Sequence, residues 1–359
     1  MKNTTRIGVG QLLLIRCLDQ SEGEHSIGFL AIIGSTGLRL RFKKERSMVF
    51  GESPLKDLYR SLVWGPYRQL CGRVPLGWEL RLNRTLGRSV HVLARGKRER
   101  LRNNLGLAFP GTTDFGPITR ACFQTHFAEQ YISWSFARIN AETASRYLEV
   151  SGIERLAQLR EQGRGVVLVH PHMGPAQLPL CVLAHLGYPM HQIGGGGVAH
   201  HLSEKGRACE ALRHRLEGDI PAEIWDGAEY LRPLVRKLRE GAFVMTAMDG
   251  TGGGRELGRR IPQQVCGQQM YVPVGAAWLA LQSGAALVPL HTHYVSDASA
   301  PYRTVIHPEI ELEREMKSRD AMEDAAQKLS LILERLLLQH PGDWHFWDEF
   351  APGRFLEAE

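Results

Sequence analysis

From about residue 150 onward, the chain alternates between short apolar runs and stretches in which apolar residues recur every three or four positions. The runs are typical of buried strands, and the longer spacing is typical of helices with one apolar face. This alternation predicts an α/β fold with a mainly parallel central sheet flanked by helices. The predicted strands are 165–170, 189–193, 242–247 and 285–293, and the predicted helices are 153–162, 176–186, 203–216, 228–240, 273–283 and 320–339.

The region before residue 146 has a different pattern. Its first part is less regular and predicts two strands, at 26–33 and 38–42. Its second part is helical in pattern and includes a long, aromatic-rich helix over 118–136. We therefore expect an irregular extension at 1–54, a helical segment at 55–145 and an α/β domain at 146–350.

Residues 55–88 interleave apolar and aromatic side chains with basic ones. An apolar stripe beside a cationic face is typical of a helix that lies on an anionic membrane surface. The pattern equally fits an amphipathic helix packed on its own domain, and Pro66 and Pro75 interrupt it. Both interpretations stay open. The basic side chains concerned are Lys56, Arg60, Arg68, Arg73, Arg81, Arg84 and Arg88.

The charge balance favours anionic partners. The chain has 44 basic and 38 acidic side chains, a formal charge of +6 and a pI near 9.0. This excess suits an acidic carrier protein, a phosphorylated lipid or an anionic membrane surface, and it is too small to indicate a nucleic-acid binder. We expect no nucleic-acid partner.

Cysteine spacing and hydropathy give the expected compartment. The six cysteines contain no C-x-x-C pair, so neither a zinc site nor a disulfide framework is predicted, and a reducing compartment is expected. Arg16 and Asp19 cut short the apolar run that follows Lys2 and Arg6, so no signal peptide is expected. No run reaches the ~18 apolar residues of a membrane-spanning helix. These features indicate a cytoplasmic protein.

The segment around residue 170 is the strongest candidate for chemistry. An apolar, β-branched run delivers His170 and His172 to a Gly/Pro turn. The carboxyl end of a buried strand is where α/β enzymes keep reactive groups, and histidine titrates near neutral pH. His172 is therefore a candidate general base.

Several motifs, in order, give the chain a resemblance to a known superfamily. The motifs are Arg98-x₄-Asn103-Asn104-Leu105, Ala108-Phe109-Pro110, Gly152-Ile153-Glu154, Gly163-Arg164-Gly165, His172-Met173-Gly174, Leu238-Arg239-Glu240-Gly241, Met248-Asp249-Gly250, Val265-Cys266-Gly267 and Pro341-x₂-Trp344. Over residues 55–350 the chain resembles the lysophospholipid acyltransferases and, among them, the bacterial lauroyl/myristoyl acyltransferases of lipid A biosynthesis. The collinear order of these motifs carries the resemblance.

The resemblance implies transfer of a fatty acyl group from a thioester donor, either acyl carrier protein or acyl-CoA, to a lipid or glycolipid hydroxyl. It implies no cofactor and no metal, and a peripheral position on the inner face of the cytoplasmic membrane. His172 would be the base of the family's H-x-x-x-x-[DE] motif. Gln177 stands where that motif has its acid, and an amide can orient the imidazole but supplies no negative charge.

Gln177 leaves other interpretations open. His170 could share the work of His172, because residues two apart on a strand point to the same face. The chain could also be a weakened or inactive relative that binds lipid or carrier. A third alternative is an acyltransferase for a non-lipid small molecule, since an amine or thiol acceptor needs less help from a charged pair.

Two further groups are candidates for binding. The Asp249-Gly250-Thr251 block with Arg255 resembles the block by which glycerophosphate acyltransferases hold an acceptor phosphate, and glycine-rich backbone suits an anion. Arg213 and Arg215 stand where related enzymes carry an arginine facing the acyl carbonyl. Either could stabilise the oxyanion, with Arg215 preferred.

A competing hypothesis comes from the glycines at 194–197, which satisfy G-x-G-x-x-A after a predicted strand. This fingerprint would indicate an NAD-linked oxidoreductase. The next strong strand is predicted only at 242–247, so no compact βαβ unit follows. The dinucleotide interpretation is therefore the weaker of the two hypotheses.

Overall fold

The computed structural model describes residues 53–194, 202–227, 231–250, 258–296, 298–313, 315–316 and 318–357, and the backbone of three strands before them. The chain divides into two compact units, Met1–Ser53 and Pro54–Glu359. In the first unit, β1 (Leu12–Ile15), β2 (Phe29–Gly34) and β3 (Gly37–Arg41) pair in that order in an antiparallel sheet.

The second unit begins with helices. They are α1 (Pro54–Leu62), a π-helical turn (Val63–Tyr67), α2 (Arg68–Cys71), α3 (Trp78–Leu93), α4 (Arg95–Ala108) and α5 (Gly116–Gln130), followed by 3₁₀ turns at Ile132–Arg138 and Ala144–Arg146. The long helix predicted over 118–136 is thus wrong at its end. In the tighter 3₁₀ turn, side chains three apart lie above one another. Tyr131 and Trp134 consequently stack in the core, with ring centroids 4.4 Å apart.

A seven-stranded sheet forms the centre of the second unit. Its order is β4-β12-β11-β5-β8-β6-β7, and among the described pairs only β11 and β12 are antiparallel. The strands are β4 (Leu148–Ser151), β5 (Val166–His170), β6 (Met190–Gly194), β7 (Glu223–Asp226), β8 (Phe243–Ala247), β11 (Ala286–Tyr294) and β12 (Tyr302–Ile306); β9 (Arg260–Val265) and β10 (Gln268–Pro273) form a separate antiparallel hairpin.

Helices cover both faces of this sheet. They are α6 (Ile153–Glu161), α7 (Gln177–His185), α8 (Glu204–Glu217), α9 (Arg232–Arg239), α10 (Gly275–Ser283) and α11 (Ser318–Gln339). Strand β5 is buried throughout, with Val167 and Val169 in one core cluster and Val166 and Leu168 in the other. A strand that is buried on both faces is continuously apolar. The apolar run of β5 is the feature from which this strand was predicted. The predicted fold class is confirmed.

The strands that sequence analysis missed have weak patterns. Strands β4 and β7 are four residues long, partly polar, and stand at the two edges of the seven-stranded sheet. Strands at the edge of a sheet bury little apolar surface and tolerate charged side chains, so their sequences carry only a weak strand pattern. Strand β12 and the β9–β10 hairpin were also missed. Gly194, the first glycine of the dinucleotide-like run, ends β6, and residues 195–201 lie outside the described part.

The cationic face predicted over residues 55–88 is only partly at the surface. Arg84 is 6% exposed. Its guanidinium donates to Thr125 and Tyr302 and lies 3.5 Å from the centroid of the Tyr294 ring. Arg60 pairs with Asp57 at 3.0 Å. These two arginines serve the fold, because α1 and α3 pack on other helices instead of forming one continuous surface helix.

Helices α3 and α5 cross closely at Gly87. A Cβ atom at this position would lie 2.4 Å from the carbonyl oxygen of Phe123. Backbone cannot withdraw as a flexible side chain can, so a methyl group here would force the helices apart. Gly106 in α4 has open space around it and serves as a matched control.

We expect Gly87→Ala to lower the free energy of unfolding by about 1–3 kcal/mol, the usual cost of overpacking. Gly106→Ala should raise it by roughly 0.5–1 kcal/mol, because alanine favours the helix. Urea unfolding followed by circular dichroism measures both. Equal stability of Gly87→Ala and the parent would contradict the packing described here.

Candidate active site

The turn that carries His172 follows the central strand β5. Strand β5 pairs with β11 on one side and with β8 on the other. It is therefore a central strand, and its carboxyl end has a neighbouring strand on each side. Gly174 in this turn has a φ of +58°, and a Cβ atom there would lie 2.9 Å from the carbonyl oxygen of Thr292 on β11. Glycine therefore allows the turn to fold down against β11.

Asp249 is the partner of His172. Its Oδ1 is 2.7 Å from Nδ1 of the imidazole, and its Oδ2 accepts the backbone N–H of His172 at 2.7 Å. Asp249 comes just after β8, the parallel neighbour of β5 in the sheet. Because parallel strands end at the same edge, residues 77 positions apart meet there.

A third donor completes the environment of the carboxylate. The indole N–H of Trp344 donates to Asp249 Oδ2 at 2.8 Å. The Asp249 side chain is fully buried, and its three hydrogen bonds offset the loss of water around it. The site thus holds a buried charge with a fixed orientation.

The segment that carries Trp344 also holds the histidine turn. The His345 N–H donates to the His172 carbonyl at 2.9 Å, and the His345 ring donates through Nε2 to the Gly174 carbonyl at 2.7 Å. Phe346 lies against the His172 ring, with centroids 4.5 Å apart. The carboxyl-terminal segment therefore fixes both members of the His172–Asp249 pair.

Burial and charge act in opposite directions on this pair. Burial disfavours protonation of His172, but the Asp249 charge and hydrogen bond outweigh it, and the pKa of His172 is raised above its ordinary value. Burial likewise opposes ionisation of Asp249, but His172, Trp344 and the backbone N–H lower its pKa overall. Asp249 is therefore a carboxylate at neutral pH.

His170 has a different environment. It is 4% exposed, and its Nδ1 lies 3.0 Å from the carbonyl oxygen of Pro171, which accepts the ring N–H. Burial, together with the neighbouring His172, lowers the pKa of His170 to about 4. Its ring centroid is 5.6 Å from that of His172. The structure thus brings the two histidines together, but among the described contacts only His172 has a carboxylate partner.

Gln177 begins helix α7 and lines the cleft in front of His172. Among the described hydrogen bonds, none joins Gln177 to the imidazole, whose Nδ1 is occupied by Asp249. The expectation that the orienting group stands five positions after His172 is therefore wrong. The turn places α7 so that its first residue faces the cleft, while the carboxylate comes from the neighbouring strand.

The structure gives the residues of the Asp249-Gly250-Thr251 block different positions. Asp249 was expected to bind an acceptor or anion, but its buried oxygens are already engaged by His172 and Trp344. Gly250 does line the cleft, with a φ of +102° and a hypothetical Cβ 2.9 Å from the guanidinium of Arg260. Thr251 and Arg255 lie outside the described residues.

Of the two candidate oxyanion arginines, Arg213 is the one that lines the cleft. Its Nε donates to Glu217 Oε1 at 2.7 Å, which orients the guanidinium. Arg215, the preferred candidate from sequence, is exposed and is not among the described residues around the cleft. Helix α8 turns by about 200° between positions two apart, so the two side chains diverge.

Glu129 at the end of α5 was missed by sequence analysis. It lines the same cleft, and its Oε2 accepts the Ala176 N–H at 2.8 Å. Burial raises the pKa of Glu129 to about 7, despite the opposing charges of Arg213 and His172. No local motif marks this residue. It reaches the site only because α5 packs beneath the histidine turn.

The described residues enclose a cleft of about 870 Å³ that opens beside His172. Pockets that bury most of a small ligand are typically ~300–1,000 Å³, so this cleft is at the large end of the range. Its lining combines apolar side chains with the polar groups of the site. The apolar residues include Ile220, Ala222, Ile224, Trp225, Leu231, Trp278 and Leu279.

Comparison with known proteins agrees with the resemblance seen in the motifs. A search of curated proteins finds no match to the chain. The family model for bacterial lipid A biosynthesis acyltransferase matches residues 67–349, which is most of the second unit. The matched range contains His172 and Asp249, and also Trp344 and His345, which support them. The chain therefore belongs to the bacterial lipid A biosynthesis acyltransferase family.

Proposed function

We propose that this acyltransferase moves a fatty acyl group from a thioester of acyl carrier protein or coenzyme A to the hydroxyl of a lipid or glycolipid, with His172 as general base. The observation that carries the proposal is the His172–Asp249 hydrogen bond, whose histidine lines a large cleft together with many apolar residues. Family membership supports acyl transfer in general, and the geometry supports the role of His172.

The hydrogen bond decides which ring nitrogen acts. A carboxylate only accepts hydrogen bonds, so the ring proton of neutral His172 lies on Nδ1 and the lone pair remains on Nε2. Nε2 takes the acceptor's hydroxyl proton while the oxygen attacks the thioester carbon. The tetrahedral intermediate then loses the thiolate, which takes the proton back from the imidazolium. Asp249 stabilises that imidazolium.

Arg213 lines the same cleft as His172 and supplies positive charge there. We assign it to the carbonyl oxygen, which becomes negative when the acceptor adds to the thioester. Its hydrogen bond to Glu217 fixes the guanidinium before substrate binds. Glu129 supports the turn through Ala176, and we treat it as a positioning residue.

The negative partner that Gln177 lacks is supplied by Asp249. The weakened-enzyme alternative was based on a neutral partner for His172, and this geometry removes that basis. We accordingly favour an active transferase over a binding-only relative.

A hydrophobic stripe on α1 supports contact with the bilayer. Leu55, Leu58 and Leu62 follow one another at helical spacing and are 76%, 55% and 55% exposed. Next to this stripe on α1, Tyr59 packs inward, and its hydroxyl hydrogen-bonds that of Tyr131 at 2.8 Å. No described helix has the length and hydrophobicity to cross a membrane. We propose that the leucine stripe inserts peripherally on the inner face of the cytoplasmic membrane.

The first test concerns the two histidines. We expect His172→Ala to abolish acyl transfer and His170→Ala to leave a measurable fraction, because only His172 has the carboxylate partner. Mass spectrometry of lipids from cells that express each variant should show an acylated product with the parent and no such product with His172→Ala. A product of equal abundance with His172→Ala would refute the assignment.

The second test concerns Asp249 and pH. Activity requires unprotonated His172, so the parent should lose activity as pH falls through a pKa above the ordinary ~6.5 of histidine. Asp249→Asn removes the charge that raises this pKa, so the acid limb should move to lower pH. Turnover at its plateau should fall by up to about 10⁴-fold. Thioester cleavage at varied pH measures both effects.

Gln177→Ala is the matched control for Asp249→Asn. We expect it to keep the acid limb of the parent and turnover within about tenfold, because no described hydrogen bond joins Gln177 to the imidazole. An acid limb that moves in Gln177→Ala but stays in place in Asp249→Asn would show that the pair has been wrongly identified.

The third test concerns the α1 leucines. Fully burying a leucine contributes ~1.5–3 kcal/mol, so Leu55→Ser/Leu62→Ser should reduce binding to vesicles with anionic lipid by at least about tenfold. Leu331→Ser/Leu338→Ser on α11 is the matched control, with the same spacing and exposures of 57% and 51%. Co-sedimentation at low and high salt measures the effect. Equal losses in both double variants would contradict a specific role for α1.

A further inference from the structure

A cluster of four histidines lies away from the cleft. His291 and His293 are on β11, His340 directly follows α11, and His307 directly follows β12. Residues two apart on a strand face the same side of a sheet, so His291 and His293 project together. None of the four is among the described residues that line the catalytic cleft.

Three of these side chains lie within reach of one ion. His291, His293 and His340 each offer a ring nitrogen, and these nitrogens all lie within 4.8 Å of one another. Zinc–nitrogen bonds of ~2.0–2.1 Å at a tetrahedral angle put ligand nitrogens about 3.3 Å apart. The rings would need small rotations, because those of His293 and His340 now lie nearly parallel, with centroids 4.4 Å apart.

The hydrogen bonds around the cluster suit a metal site. Nδ1 of His293 is shielded from solvent and has no described hydrogen-bond partner. A buried polar atom without a partner is unfavourable, and a bond to a metal would satisfy it. Nδ1 of His291 lies 2.9 Å from Nε2 of His307, which leaves Nε2 of His291 for the metal. A hydrogen bond to the ring nitrogen that does not bind the metal fixes the orientation of a histidine ligand.

The charge state of the cluster also suits ligation. Burial, and then the neighbouring imidazoles, lower the pKa of His291 to about 3 and that of His293 to about 4. Both rings are therefore neutral at physiological pH, which is the form that binds metals. The nearby Arg303 is paired with Glu149 at 2.9 Å, which offsets its repulsion of a cation.

We propose that His291, His293 and His340 bind one divalent transition-metal ion of the zinc class. Three imidazoles without thiolate or carboxylate suit zinc, cobalt, nickel or copper, and exclude the oxygen-preferring magnesium and calcium. The ion would tie the end of α11 to β11. The segment that begins at His340 carries Trp344 and His345, so the metal would stabilise the support of the His172–Asp249 pair from outside the cleft.

Metal binding by the untagged full chain tests this proposal. After treatment with a chelator, the protein is titrated with Zn²⁺ against a chromophoric competitor and, separately, with Co²⁺ followed by its visible absorption. We expect one equivalent to bind, with a rise in melting temperature on addition of Zn²⁺. His293→Asn/His340→Asn should weaken binding by at least about 100-fold, and His307→Asn by about tenfold.

His185→Asn is the matched control, because His185 is also a half-buried histidine at a helix end but lies outside the cluster. It should bind zinc as the parent does. Circular dichroism checks that each variant is folded, and the single variant His340→Asn replaces the double variant if that one does not fold. Less than one-fifth of an equivalent bound by the parent, or equal affinity in the parent and the folded ligand variant, would overturn the proposal.

Discussion

The hydrogen bond between His172 and Asp249 is the interaction on which the site depends. It joins the ends of two neighbouring parallel strands, orients an imidazole towards a cleft, and places a negative charge where an imidazolium would form. A buried carboxylate is stable only when donors surround it. The Trp344 indole and the His172 backbone provide those donors, so the fold must bring its carboxyl-terminal segment back to the central strands.

This requirement explains much of the architecture around the sheet. The segment after α11 contacts the histidine turn at Met173, Gly174 and the His172 carbonyl. Beneath the turn, Glu129 holds the Ala176 N–H from α5. The site is therefore assembled from the helical segment, two parallel strands and the chain terminus. Its geometry depends on packing between residues that are far apart in the sequence. The proposed metal site includes His340, at the start of the segment that carries Trp344, so a bound metal would stabilise this same segment.

Helix α1 combines an inward contact with an exposed apolar stripe. Tyr59 points inward to Tyr131, and the leucines at 55, 58 and 62 remain exposed. Single exposed leucines are common, but three in one stripe are not. Of the arginines first assigned to a cationic membrane face, Arg84 is buried against tyrosine rings and stabilises the fold. Arg84 is therefore not part of an exposed cationic face.

The sequence by itself determined the fold class and the position of β5, and it identified His172 as a candidate base. Continuous apolar runs and a histidine after a buried strand are local signals, which is why these features could be predicted. It also indicated the family. It did not determine the partner of His172: a motif counted along the chain pointed to Gln177, whereas the structure supplies Asp249. The place of Glu129 in the cleft, the choice of Arg213 over Arg215, and the three-histidine cluster were likewise decided by tertiary structure. Strand order and helix packing bring such residues together, and neither is encoded in local spacing.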